Sequence, residues 1–519
     1  MVEYFYNLGL YFAETAVAYS ERPALCYPGR TYSYSELSRW AESLSALLLA
    51  KGCRRGDVIA IGHDKQSLSY ALMLSALRLG ITHVNIDVVS PPVRNSHILK
   101  VSRPTLLFYD APQYGQAMRE LAQKNNCEAV FLAQDALPEV SQADRQTQRQ
   151  LMREVDGACI AYLMFTSGST GIPKGVAVTH QNVLHFIAWS RQYFQISEQD
   201  NFANLNPMHF DNSVFDFYAA LFSGASLSPI PKELLTSPYE LIEHVGKMRC
   251  SVWFSVPSLL IYLMTMKAMT PKSLAMLRLI LFGGEGYPKT ELKKLYDLFS
   301  QEVALVNVYG PTECTCICSA HRLSEDDFRS IEGLPTLGKP NQNFDYRILD
   351  ENGEDQDSGE LCLIGPNVAA GYFNDLERSA MSFFTLTDHG RFMKRMYKTG
   401  DLVRVVDGNL YFVGRKDNQI KHMGYRIELE EIELALNSVH GISQAAVIYE
   451  RVSDAYGKIV AFVASEKDIS ENALREELKL KIPDYMIPSR VRCYRALPKN
   501  SNGKIDKQAL RELFWAERS

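Results

Sequence analysis

The chain has 519 residues, 46% of them hydrophobic and 22% charged, with a formal net charge of −5. That length exceeds one hydrophobic core, so a large body with at least one appended unit is expected. Acids and bases are interspersed without a basic stripe, which excludes a nucleic-acid surface. No run of about 20 uncharged apolar residues marks a membrane span; the most apolar stretch, Tyr70 to Ile81, is broken by Arg78.

The start, Met-Val-Glu-Tyr-Phe-Tyr, carries an acid where a secretory signal would be basic. Ten cysteines without framework spacing predict a reducing, cytoplasmic setting. Helical periodicity is expected over Tyr34 to Lys51 and Gln66 to Leu79. Apolar runs at Asp57 to Gly62, Leu106 to Tyr109, Ala129 to Leu132 and Leu277 to Phe282 predict buried strands. Strands alternating with helices predict an α/β body of mixed and parallel sheets covered by helices. Cys314, Cys316 and Cys318 alternate, which predicts one face of a strand in preference to a metal site. After Gly408 to Gly414 the pattern changes: strand Gln419 to His422, helix Leu429 to Asn437, strands Ser443 to Tyr449 and Ile459 to Ala464, and helix Glu471 to Lys481. This predicts a small α+β unit at 417–519 after a body at 1–416.

Four segments carry chemistry. Thr166-Ser-Gly-Ser-Thr-Gly-Ile-Pro-Lys-Gly175 follows an apolar run and offers hydroxyls, close backbone approach at its glycines, and a lysine. It lacks Walker spacing, so it predicts phosphate binding outside the P-loop class. Asn307-Val-Tyr-Gly-Pro-Thr-Glu313 exposes a ring that can stack on a base and a carboxylate suited to a hard cation; it can also be an ordinary strand-end turn. Tyr397-Lys-Thr-Gly-Asp401, with Gly414-Arg-Lys-Asp417 beyond it, offers a ribose acceptor and a phosphate donor, or merely a surface turn and ion pair. Asn502-Gly-Lys-Ile-Asp506 presents Lys504, which in isolation is a solvated lysine.

Together, in this order, the segments resemble the adenylate-forming superfamily of acyl-CoA synthetases, luciferases and adenylation domains of nonribosomal peptide synthetases. The resemblance runs from about Tyr32 to Leu510. It implies two substrates of one reaction, ATP and a carboxylic acid, with Mg²⁺ as cofactor. Thr166, Ser167, Gly168, Ser169, Thr170 and Lys174 would cover the β- and γ-phosphates. Gly283, Gly284 and Tyr309 would flank adenine, with Asn307 at its edge and Glu285, Gly310 and Thr312 nearby. Glu313 would hold Mg²⁺, Asp401 the ribose with Arg415 beside it, and Lys504 the carboxylate and α-phosphate. Asp417 would be the hinge of a mobile C-terminal lid that later presents Lys421 and Gly424 to a thiol.

Phe210-Asp-Asn-Ser-Val-Phe-Asp-Phe217 resembles the substrate-facing segment of amino-acid adenylation domains. There Asp211 would meet the α-ammonium, although it can also read as a helix N-cap. The same carry-over lines the pocket with Asn212, Phe215, Ser258, Leu281, Gly283, Val308, Cys316 and Ile317. None is charged, and Gly283 would leave open space, which implies a small or medium neutral amino acid. Lys421 to Glu433 is similar to stand-alone D-alanine–carrier protein ligases. Those ligases carry Cys at the Gly283 position and an aliphatic residue at Asn212, so glycine, L-alanine, serine, threonine and proline stay open. With no carrier domain following, the implied partner is a separate carrier protein with a phosphopantetheine arm. An acyl- or aryl-CoA ligase is the alternative.

The two lysines separate by half-reaction. Lys504→Ala should slow adenylate formation on the order of 10²–10³-fold and spare thiol transfer from preformed adenylate. Lys421→Ala should do the reverse, as read by single-turnover assays of each step.

Overall fold

The computed structural model describes residues 4–168, 171–342, 344–388, 390, 392–452, 457–465, 469–499 and 505–516. Among these the strands form a nine-stranded, a seven-stranded and a five-stranded sheet, then sheets of two and three strands toward the C-terminus.

The two large sheets are parallel at their centres. In the larger, Ala304–Tyr309, Leu279–Gly283, Val252–Ser255, Asn201–Asn204 and Ser226–Pro229 run side by side in parallel. In the other, Thr82–Ile86, Val58–Gly62, Leu106–Tyr109 and Glu128–Phe131 do the same, and Ile160–Thr166 adds parallel to Thr82–Ile86. Val58–Gly62, Leu106–Tyr109 and Leu279–Gly283 are buried on both faces, which is why they read as continuous apolar runs. Helices Tyr34–Ala50 and Ser67–Leu79 belong to the core that the two sheets share. The first opens on a capping box, Ser33 with Glu36; the second closes on left-handed Gly80.

The expected elements are present, with ends shifted by a residue or two: Leu279–Gly283 in place of Leu277 to Phe282, and Glu128–Phe131 in place of Ala129 to Leu132. The cysteine segment differs. Thr312–Cys314 is a 3-10 turn, Thr315 and Cys316 have φ of 60° and 72°, and the strand starts only at Ser319. Alternating small residues cannot distinguish a strand from a buried turn. All three thiols are nonetheless buried, and Cys318 Sγ meets the Cys314 carbonyl at 3.3 Å.

The five-stranded antiparallel sheet carries the chain into Gln419–His422, which pairs with Tyr425–Glu428 in a hairpin. Helix Leu429–Asn437 and the sheet Ile442–Arg451, Gly457–Ser465 and Arg490–Tyr494 follow. Their apolar side chains make two clusters that draw on nothing before Ile420. Ile432, fully buried in the first, tests this independence. Ile432→Ala should cost the small unit about 2–5 kcal/mol and leave the body's protection intact; hydrogen exchange across the chain reads both.

Candidate active site

Ligands of parallel sheets gather where strands end at their carboxyl side. Here both large sheets point those ends at one cavity of about 1190 Å³. Asn206 to Asn212 follow one strand, Ser258 a second, Gly284 a third, and Tyr309 to Thr312 a fourth; all line it. Thr166 and Ser167 enter from the other sheet, Asp401 and Arg415 from the antiparallel sheet, and Lys421 and Met423 to Arg426 from the C-terminal hairpin.

Glu313 is fully enclosed and every carboxylate oxygen is engaged. Oε1 accepts from the Tyr372 hydroxyl at 2.8 Å and lies 3.5 Å from Lys174 Nζ; Oε2 accepts from Arg426 Nη1 at 2.8 Å. Burial alone would raise its pKa, but the Arg426 and Lys174 cations outweigh that and hold it well below the carboxylate range. Lys174 also donates to the Tyr372 hydroxyl at 3.2 Å. It opens the strand Lys174–Thr179, paired across from Thr166, so the hydroxyl-rich segment joins two antiparallel strands. Ser169 and Thr170, within it, lie outside the described residues.

Asp401 accepts from the Tyr309 hydroxyl and from Arg415 Nη1, both at 2.6 Å. Arg415 also clasps Asp417 through Nε and Nη2 at 2.6 Å each, a bidentate pair directly behind the antiparallel sheet. Lys421 Nζ stands 5.6 Å from the Tyr309 ring centre. Asp211 is not a helix cap: its side chain caps nothing, and Oδ2 accepts from Thr312 Oγ1 at 2.5 Å. Burial raises its pKa, with the Thr312 hydroxyl as a partial offset.

Several expected positions sit elsewhere. Of the side-chain pocket, Asp211, Asn212 and Ser258 line the cavity; Phe215, Leu281, Gly283, Val308, Cys316 and Ile317 are packed beneath it. Phe215 packs in the interior with Phe194, Phe202 and Phe254, at ring separations of 5.4, 5.4 and 5.6 Å. Gly283 does not leave open space. A Cβ there would stand 2.4 Å from the Val308 carbonyl oxygen, so the glycine serves close strand approach. Asn307 donates to the Thr336 carbonyl at 2.7 Å and lies off the cavity. Glu285 accepts from Ser258 N at 2.6 Å and from Gly424 N at 2.9 Å, tying body to hairpin. Lys504 lies outside the described residues. Arg426, within the Lys421 to Glu433 segment, and Tyr372 went unassigned on sequence, because neither reveals its partner.

Residues 12–373 match the family model for AMP-binding enzymes, and residues 431–504 that for the AMP-binding enzyme C-terminal domain. The chain belongs to the AMP-binding enzyme family. It is an adenylate-forming ligase by that membership. It is 32% identical over 515 residues to the L-proline–[L-prolyl-carrier protein] ligase of Streptomyces coelicolor, covering 96% of this chain and 94% of that one. It is 30% identical over 495 residues to the D-alanine–D-alanyl carrier protein ligase of Bacillus licheniformis, covering 92% and 94%. The Vibrio cholerae adenylation domain AlmE, solved with glycyl-adenosine-5'-phosphate, superposes with a TM-score of 0.82 at 25% identity over 99% of both chains. Among the described residues no helix is long and apolar enough to cross a membrane.

Behind the Asp211 turn, this AMP-binding enzyme has a π-helix, Phe215–Ala219, which holds Asp216 in the interior. Asn204 and Asn206 donate to Asp216 Oδ2 at 3.0 and 3.2 Å, while Oδ1 is buried without a hydrogen-bond partner. Burial pushes its pKa up to about 7 from 3.8. Asp216 therefore keeps its proton longer folded than unfolded, and ionising it opposes folding. Its contribution is fully present below the unfolded value and is lost as pH rises through about 7. Nearby Lys65, which donates to the carbonyls of Asn204, Leu205 and Ile230, is pushed down to about 7 from 10.5 by burial and acts only above that window. Asp216→Asn should flatten the fall in stability between about pH 4 and pH 7, as read by urea midpoints across that range.

Proposed function

We propose that this chain activates an amino acid as its adenylate and passes it to the phosphopantetheine thiol of a separate carrier protein, using ATP and Mg²⁺. The observation that carries the amino-acid reading is Asp211. A half-buried carboxylate whose hydrogen-bond partner is one neutral hydroxyl leaves a place for a cation, and an α-ammonium supplies it. The names of the proline and D-alanine ligases and of the glycyl-adenylate complex point the same way. The small or medium neutral side chain rests on the uncharged positions that the family resemblance assigns to the side-chain pocket, Asn212 and Ser258 of which line the cavity.

In this reading the substrate carboxylate attacks the α-phosphorus of ATP, pyrophosphate leaves, and the thiol sulfur then replaces AMP at the acyl carbon. No protein nucleophile is needed, so catalysis is positioning and charge neutralisation. Tyr309 stacks on adenine, Asp401 takes the ribose hydroxyls with Arg415 behind it, and residues 166–174 cover the phosphates. Glu313 suits Mg²⁺, which binds through one or two carboxylates plus phosphate oxygens. Among the described residues no cluster of three or more His, Cys, Asp or Glu offers a cage built by protein alone. The cation would supply neutralisation of phosphate charge. Residues 1–416 would form the body and 417–519 a lid turning at Asp417. In this reading Lys421, 5.6 Å from the Tyr309 ring centre, and Gly424, bonded to Glu285, would serve the thiol-transfer step.

ATP–pyrophosphate exchange with a panel of amino acids in both enantiomers, set against fatty and aryl acids, tests this. Exchange with small neutral amino acids is expected, and Asp211→Asn should cost about 2–5 kcal/mol of their binding. Exchange with fatty or aryl acids alone would favour the acyl- or aryl-CoA ligase. Aminoacylation of free CoA but never of a carrier would remove the carrier from the reading.

A further inference from the structure

Glu313, proposed above as the metal carboxylate, is gripped by a residue of the C-terminal hairpin. Arg426 Nη1 donates to Oε2 at 2.8 Å, and the Arg426 Nε is buried without an acceptor, so Glu313 is the guanidinium's anchor. The same hairpin is latched to the body around that contact. The Arg426 carbonyl accepts from Ser167 Oγ at 2.8 Å and Gly424 N donates to Glu285, while Glu431 on the helix that follows pairs with Arg94. Tyr425 packs edge-on against Phe210 at 5.1 Å and stacks on Tyr485 at 3.7 Å. A Cβ on Gly424 would come within 2.4 Å of Val256 Cγ1, so the hairpin turn fits only against the body's surface as glycine.

Two cations already face this one carboxylate, Lys174 and Arg426. A divalent ion on Oε2 would sit about 2.0–2.1 Å away, in space the guanidinium fills. Sterics does not permit both occupants on Oε2. Withdrawing Arg426 leaves Glu313 with Lys174 and one free coordination position.

We propose that Arg426 replaces the metal: guanidinium and divalent cation occupy Glu313 in turn, so the hairpin docks in this arrangement only once the metal has left. This rests on Glu313 as the metal carboxylate. The consequence is an order of events. Departure of the metal with pyrophosphate would free the carboxylate, and its buried charge would then draw Arg426 in, bringing Lys421 and Gly424 against the nucleotide site. Arg426 acts as a positioning residue, coupling the end of one half-reaction to the geometry of the next.

The test uses the full chain with Mn²⁺ as a paramagnetic probe and inorganic pyrophosphate, free metal being read by electron paramagnetic resonance. If the docked hairpin holds about 90% of molecules, removing the competing cation should tighten metal binding about tenfold. Arg426→Gln is expected to tighten it, and Arg426→Lys to return it toward the parent value. A merely structural loss would weaken metal binding. Unchanged or weaker binding in Arg426→Gln overturns the proposal. As a second measure on the unaltered chain, saturating Mn²⁺ and pyrophosphate should raise amide exchange at residues 421–427; unchanged protection there overturns it too. Exchange of pyrophosphate into ATP by the unaltered chain keeps the two ideas apart. Its failure with every acid removes the ligase reading, whereas its success beside unchanged metal affinity removes only the role of Arg426.

Discussion

A carboxylate with no exposure to water cannot stay charged without cations beside it, and Glu313 is such a carboxylate. Its three partners come from three places: Lys174 from the seven-stranded sheet, Tyr372 from the short strand at that sheet's edge, and Arg426 from the C-terminal hairpin. Satisfying one buried charge therefore fixes how these parts meet. The cavity beside it inherits its shape from that meeting.

The second constraint is parallel-sheet geometry. Loops that follow parallel strands collect at one edge of each sheet, and two such edges face each other here. Asp211, Ser258, Gly284 and Thr312 are far apart in the chain yet line one space. The interior behind them is aromatic and tightly packed, with Phe215 within it. A polar network threads that interior, with Tyr70, Asn204, Asn206 and Asp216 linked by hydrogen bonds. It anchors the helix that presents Asp211 and leaves one carboxylate oxygen unmatched.

Much of this was legible in the chain. Continuous apolar runs between glycines and helical patterns marked the parallel strands, because burial on both faces selects only apolar side chains there. The small C-terminal α+β unit was legible from its change of period, and Gln419–His422 and Leu429–Asn437 fall where the pattern puts them. The ordered motifs marked the family, since each carries a distinct chemistry at a distinct strand end. The left-handed turn at Thr315 and Cys316 was not legible, because alternation of small residues suits both a strand and a buried turn. The pocket lining was legible only in part. Gly283 looks like empty space in a sequence, yet its missing side chain is taken up by the Val308 carbonyl of the next strand.

The sequence by itself determined the class of fold, the family and the residues with chemical potential, because these follow from local period and from motif order. It did not determine who faces whom. That Arg426 takes Glu313, that Glu285 bridges Ser258 and Gly424, and that Asn307 turns to Thr336 are contacts over long separations in the chain. Only the tertiary structure decides them, because a buried charge or amide selects its partner by proximity in the packed state, and proximity across sheets and hairpin is not encoded in any local pattern.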